Sequence, residues 1–352
     1  TEFAEIIRRR LFETLPSATK IEALAESFHE KMSAPKWRKD VFDRAGWLNK
    51  REFKSKTDRS YPFHPALIEL AEKEWSLATG FQRVRSTIQV FAASVYALQQ
   101  RATNGGWAPE LIGPGDLPLS SHDVREALLN SGLIPDTRTV ASYREIAGVE
   151  VVSGDDENGT ARQLDLGRSG HLYGNTNPRA AERAATALFV YSIGLRPQGR
   201  SGATEPELKA ATFIEDASYG PGDAEVVLTE LRDADTGLAA LEEQPGRGGQ
   251  ALRLFLSTRM TLNMLVRDQK NAVSDDERDQ EFADMAWALA KTGPFSDKVR
   301  VEADADDSRT LIEILADAGL DDARKTRLVV LDPRHYSLLN GADDDTRRCK
   351  QG

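Results

Sequence analysis

The sequence predicts a mainly α protein: a helical amino-terminal region, three further helices leading into a strand hairpin, and a small α/β unit. Three observations predict it. Apolar residues recur at helical spacing through most of residues 1–132. Capping residues precede helical runs after residue 177, and an apolar strand-like run closes that stretch. Near the carboxy-terminal end, helical and strand-like runs alternate.

The elements follow in order. Glu2 to Leu15 is an amphipathic run that stops at Pro16, a residue that cannot continue a helix. Ser17 or Thr19 caps the next, Lys20 to Met32, with Ile21, Leu24, Ala25 and Phe28 on one face. Lys36 to Arg59 carries nine basic and four acidic residues, with Trp37, Phe42, Trp47 and Phe53 interleaved. His64-Pro65 starts a helix through Trp75. Gln82 to Gln100 is the most apolar helix of this region, with Ile88, Phe91, Val95 and Leu98 on one side. Ser121-His122-Asp123 opens another, which ends at Gly132. Residues 133–176 are less regular: Val149 to Val152 reads as a short strand, Ser153 to Thr160 as a polar loop, and Gly167 to Asn177 is rich in Gly and Asn. That stretch reads as a linker and a domain boundary.

Residues 177–275 are patterned more clearly. Asn177 caps a helix with Pro178 in its first turn, running to Ile193. Thr204-Glu205-Pro206-Glu207 is a capping box for a short second helix. Asp223 to Asp235 is a third, burying Val226, Val227 and Leu231. Gly246 to Gly249 forms a turn before a strand at Leu252 to Ser257, and another helix begins at Thr261 to Val266. Three helices followed by a strand hairpin is the winged-helix arrangement. In residues 276–342, a helix (Asp276 to Lys291), a strand (Lys298 to Glu302), a helix (Ser308 to Ala318) and a strand (Arg327 to Leu331) make the small α/β unit, and 343–352 is a tail.

Composition narrows the function classes. The chain has 352 residues, 40% hydrophobic and 29% charged, as an ordinary soluble protein has. No apolar run reaches the length of a membrane span, and no signal segment opens the chain. The one cysteine, Cys349, rules out an internal disulfide framework and suits a cytoplasmic setting; with five scattered histidines, no metal site is expected. The start at Thr1, without methionine, fits a processed or trimmed product. Net charge is -10, yet residues 1–60 hold 14 Lys or Arg against 10 Asp or Glu. An acidic remainder disfavours a general nucleic-acid coat and leaves room for a local anion site near the start.

Several constellations bear on chemistry. Arg8, Arg9 and Arg10 sit in the first amphipathic helix. They read either as a solvated face or as an arginine finger, since the guanidinium is permanently charged and presents planar donors. Arg83 and Arg85 open the apolar helix after Gly80, where a helix amino-terminus already favours an anion; an ion pair with Glu72 or Glu74 is the other reading. Lys36, Arg38, Lys39, Lys50, Arg51, Lys54 and Lys56 alternate with aromatics, as in a nucleic-acid groove or in a charged segment whose aromatics dock on a core. Asp223, Glu225, Glu230, Asp233 and Asp235 against a single Arg232 make the third helix of the winged arrangement unsuited to the major groove and better suited to a protein partner. Neither Gly199-Arg200-Ser201-Gly202 nor Gly246-Arg247-Gly248-Gly249 leads into Lys-Ser or Lys-Thr, so the chain has no phosphate-binding loop. Leu328 to Asp332 reads as a strand running into the Pro333 turn rather than as a magnesium-holding strand. No serine, cysteine or threonine has a base and an orienter, and His64 fixes a helix start.

Together, Glu5 to Glu13, Tyr61-Pro62-Phe63-His64-Pro65, Gly80 to Arg85, Phe255 to Asn263 and Leu328 to His335 resemble large prokaryotic AAA+ ATPases encoded in phage-defence clusters. Those proteins carry a domain of unknown function and are similar to the P-loop ATPases of phage-exclusion (BREX) systems. The resemblance implies an origin-recognition-like ATPase: a nucleotide-binding core, a helical lid, then a winged helix. It makes residues 1–132 lid-like, Arg8, Arg9 or Arg10 the arginine finger, and Arg83 or Arg85 the sensor arginine. The departure is the core, which would precede Thr1. ATP and Mg2+ are therefore expected only in the intact protein, and this chain alone holds no complete active site. The implied partners are further copies of the chain, defence-system proteins and DNA. A non-enzymatic winged-helix adaptor and a DNA-binding module are the alternative readings.

Overall fold

The computed structural model describes residues 2–152, 159–167, 179–193, 202–215, 219–245, 251–293, 297–301, 311–317, 319, 324 and 327–331. The chain forms two compact units, Thr1–Arg267 and Asp268–Gly352. The expected mainly α character holds.

In the first unit the helices are α1 (Glu2–Leu11), α2 (Ala18–Met32), α3 (Pro35–Trp37), α4 (Asp43–Ala45), α5 (Lys50–Ser60), α6 (Pro65–Lys73), α7 (Arg83–Thr103), α8 (His122–Leu129), α9 (Thr137–Ile146), α10 (Thr160–Gly167) and α11 (Ala180–Ser192). Strand β1 (Ala203–Thr204), helices α12 (Glu205–Ala211) and α13 (Pro221–Leu231), and strands β2 (Leu241–Gln244) and β3 (Arg253–Leu256) follow, and helix α14 (Leu262–Ala272) runs from the first unit into the second. The three strands pair antiparallel in the order β1-β3-β2. The second unit holds α15 (Asp275–Lys291), then β4 (Asp297–Val301) and β5 (Arg327–Leu331) paired in parallel, with α16 (Leu311–Asp317) between them in sequence. A parallel pair needs such a crossover.

Helix α11 is the axis of the first unit. All of its residues are buried, and five of the thirteen are alanine, so neighbours approach from every side. The segment around Pro114–Asp116, α10, α12, α13 and β3 all pack on it. Trp75 Nε1 donates to the Val190 carbonyl at 3.5 Å and the Tyr143 hydroxyl to the Ser192 carbonyl at 3.1 Å. The amide of Leu256 in β3 donates to the Ser192 hydroxyl at 2.9 Å.

Two expectations are corrected here. The boundary expected over residues 133–176 falls inside the first unit, whose single core runs from Phe3 to Leu256. Asp165 on α10 explains part of this: its carboxylate accepts the amides of Ala181 and Glu182, both at 2.9 Å, and so caps α11 from another helix. Second, Val149 to Val152 is not a strand. Residues 147–151 continue α9 as one π-turn, with Ala147 and Val151 fully buried. Packing on α11 overrides the β-branched composition. The Asn177 cap, the Gly246 to Gly249 turn, Asp332 and Cys349 lie outside the described residues.

Gly80 and Gly132 meet backbone to backbone. A Cβ on Gly132, whose φ is +88°, would lie 2.1 Å from the Gly80 carbonyl oxygen. We expect Gly132→Ala to destabilise the first unit by about 2–4 kcal/mol, from the left-handed backbone and the clash together. Urea unfolding measures it; a midpoint unchanged from wild type would contradict the packing.

Candidate functional site

The arginines singled out in the sequence fall on two helices that touch. α1 packs against α7 and α5 through Phe3, Ala4 and Ile7. Arg8, half-buried, donates to the Asp58 carbonyl and is committed to the α1–α5 contact. Arg9 is exposed, with Glu5 one turn earlier at 3.7 Å. Arg10 is exposed and has no ion pair among the described residues. At the start of α7, Arg83 donates to Glu72 at 3.1 Å, and its guanidinium lies 5.0 Å over the Phe3 ring. Arg85 is exposed without an ion pair among the described residues. The structure thus ties Arg83 to the beginning of α1, while Arg9 and Arg10 project about 10 Å further along it at 1.5 Å per residue.

The entry to α7 is rigidly held. Besides the Gly80–Gly132 contact, the Ser86 hydroxyl donates to the Ser131 carbonyl at 2.7 Å. The Tyr61 to Pro65 motif is structural in the same sense. The Tyr61–Pro62 peptide is cis, Phe63 is fully buried, and the Phe63 region bridges to Ile112. His64 Nδ1 accepts the Ala66 amide at 3.1 Å and caps α6, the helix start expected for it.

Burial, with the rings of Phe28 and Phe53 at 5.7 and 5.6 Å, lowers His64 to about 4. Its neutral form is selected by the fold, so the stability it contributes is full above about pH 6.5 and lost as pH falls toward 4. The span is worth about 3 kcal/mol. Asp165, pushed up by burial to about 6 against the pull of its two amide donors, works in the opposite direction over the same window. The difference between wild type and His64→Asn therefore isolates the histidine. We expect the variant to lose less stability than wild type between pH 7 and pH 4.5, and parallel melting-temperature profiles would contradict it.

The aromatics of the basic segment face the core. Trp37, Phe42 and Phe53 are buried, and Trp47 packs on them. Of the seven candidate bases, Lys50 bonds Glu26, Lys54 lies 2.7 Å from Glu22, and Lys56 lies 2.6 Å from Glu69. Arg38 reaches Asp43 at 3.5 Å and stacks over Trp47 at 4.9 Å. Only Lys36, Lys39 and Arg51 are exposed and without an ion pair among the described residues. The aromatics serve the core, so the bases have no stacking platform between them.

The solvent face of α13 presents Gly222, Glu225, Val226 and Thr229, with no base among them. Arg232 is held by Glu205 at 3.2 Å and Glu243 at 3.3 Å. Among the described residues no His, Cys, Asp or Glu cluster is arranged to hold a metal ion, and no helix is long and apolar enough to cross a membrane.

Residues 1–171 match the family described as DUF499 second domain. The match covers just under half of the chain. No curated protein and no solved structure matches it.

Sequence reasoning missed the most buried ion pair among the described residues. Arg183 on α11 donates through Nε to Asp116 at 2.7 Å, and through its terminal nitrogens to the Thr212 and Phe213 carbonyls at 2.9 and 3.2 Å. The available signals were a lone acid inside the apolar run Leu111 to Leu119 and a lone arginine on the buried helix. The partners are 67 residues apart, so neither local spacing nor periodicity joins them.

Proposed function

We propose that the chain is the lid and winged-helix portion of a defence-associated AAA+ ATPase, which couples the nucleotide state of a core outside these residues to contact with a partner. The observation that carries this reading is the pairing of exposed arginines on α1 and α7 with the architecture that follows. The element order α11, β1, α12, α13, β2 and β3, with the sheet order β1-β3-β2, supports the winged-helix reading. The likeness of residues 1–171 to a family described as a second domain agrees with a chain that follows another domain.

In this reading ATP and Mg2+ are held by the core, and the protein works as a homo-oligomer in the cytoplasm. Arg8 and Arg83 already serve internal contacts, so Arg9 or Arg10 is the finger toward a neighbouring subunit and Arg85 the sensor. Hydrolysis then shifts this portion against the core and alters partner contact. The face of α13, with Glu225 and Val226 and no base, favours a protein partner there over DNA.

The 352-residue chain by itself is expected to leave ATP unhydrolysed, while a longer protein with a phosphate loop ahead of Thr1 turns it over. Turnover by the chain alone would sink the reading. Strongly salt-dependent duplex binding by residues 177–275 would return DNA to that face.

A further inference from the structure

A cavity of about 410 Å³ opens in the first unit between α6, residues 107–116 and the end of α12 with residues 213–215. That volume is in the range of small-molecule sites. Its lining includes aromatic side chains: Phe28 and Phe213 meet edge to face at 5.1 Å, and Trp107, 40% exposed, carries the Arg183 guanidinium 5.3 Å over its ring.

Carboxylates outnumber cations in the lining. Six carboxylates line the cavity against two cationic side chains, and both cations are engaged: Lys73 with Glu69 at 2.9 Å, Arg183 with Asp116 and two carbonyls. His64, also in the lining, is neutral. Glu215 meets Lys31 at 3.1 Å through Oε2, but its Oε1 is buried with no hydrogen-bond partner among the described residues. Glu110 has no ion pair there, and burial together with the charge of Glu215 pushes its carboxyl above the usual range. Lys31 meets one oxygen of Glu215, and the other oxygen together with Glu110 leaves acceptor capacity for a further cation beside the aromatic side chains. A triphosphate is repelled by the same groups, so the site is separate from the nucleotide reading above and does not depend on it.

We propose that this cavity binds an organic cation with an apolar stem, its guanidinium or ammonium seated between Glu110 and Glu215 and its stem against Phe213 and Trp107. The cation arrives either as a free amine or as an arginine or lysine side chain of a partner.

Calorimetry on the whole chain tests it, with agmatine and spermidine as free cations, the peptide Ac-Gly-Arg-Gly-NH2 as the side-chain source, and ATP as the anionic control. Saturable binding of at least one cation is expected, weakened about ten-fold or more by Glu110→Gln and by Glu215→Gln, since a charge-assisted hydrogen bond is lost. Glu13→Gln, at an exposed position outside the cavity, should leave it unchanged. Binding of agmatine or spermidine identifies a free amine; binding of the peptide alone identifies a partner's side chain. Circular dichroism verifies that each variant is folded. No saturable binding by any cation, an equal loss in Glu13→Gln, or ATP binding that Glu110→Gln strengthens without any cation binding would overturn the assignment.

Discussion

Replacing Asp116 with alanine is expected to lower the unfolding free energy of the chain by about 3–5 kcal/mol. The carboxylate accepts Arg183 Nε at 2.7 Å through one oxygen and the Gly113 amide at 2.8 Å through the other. Both side chains are almost wholly shielded, at 8% and 3% exposure. Removing the acid leaves a largely shielded guanidinium with two carbonyl acceptors and the Trp107 ring at 5.3 Å. The surroundings cannot relax easily: Gly115 lies so close to α11 that a Cβ there would be 2.7 Å from the Arg183 carbonyl oxygen. Exchanging both partners for apolar groups removes the orphaned charge, so Asp116→Ala/Arg183→Met should lose less than the sum of the two single variants. Urea unfolding of the four proteins decides it. A loss under about 1 kcal/mol in Asp116→Ala would mean that the arginine finds water and that the pair does not organise this part of the core.

The second large effect concerns turnover. In the longer protein, Arg85→Ala is expected to cut ATP hydrolysis by about a thousandfold, and Arg9→Ala/Arg10→Ala by a similar factor. The choice of residues follows from the contacts. Arg8 holds α1 to α5, and Arg83 holds α7 to Glu72 and Phe3, so changes at those two would mix catalytic with structural loss. Arg10 and Arg85 are exposed, and Arg9 has only a 3.7 Å neighbour in Glu5, a surface pair of small energetic value. Their removal should leave the melting temperature within about a degree of wild type, because surface changes of this kind cost less than about 0.5 kcal/mol. A large fall in turnover at constant stability separates the catalytic role from a solvated helix face. Unchanged turnover in both variants removes it.

Much of the local structure was legible, because its causes are local. The capping box at Thr204 forms as the spacing requires, with the Glu207 carboxylate accepting the Thr204 amide at 2.6 Å, and a second box forms at Ser274. The His64-Pro65 helix start and the strand ending at Leu331 stand where the residues place them. What was not legible depends on distant partners. Val149 and Val151 have strand-like chemistry, yet the turn they occupy is decided by α11. Trp37, Phe42 and Phe53 sit among bases in sequence, but Phe213 meets Trp37 at 5.0 Å and Phe42 at 5.4 Å from the far side of the chain. The linker expected over 133–176 contains Asp165, whose reason for being there is the amino-terminus of α11. For the arginine surface, the sequence located the helices; the structure separated the guanidiniums with internal partners from those left exposed.

The measurement that bears most directly on this account is a structure of the longer protein with a non-hydrolysable ATP analogue bound. It should place the Arg85 guanidinium within about 3 Å of a phosphate oxygen, and Arg9 or Arg10 of a neighbouring copy within the same reach. Finding all three in solvent or paired with carboxylates, far from the nucleotide, would contradict it.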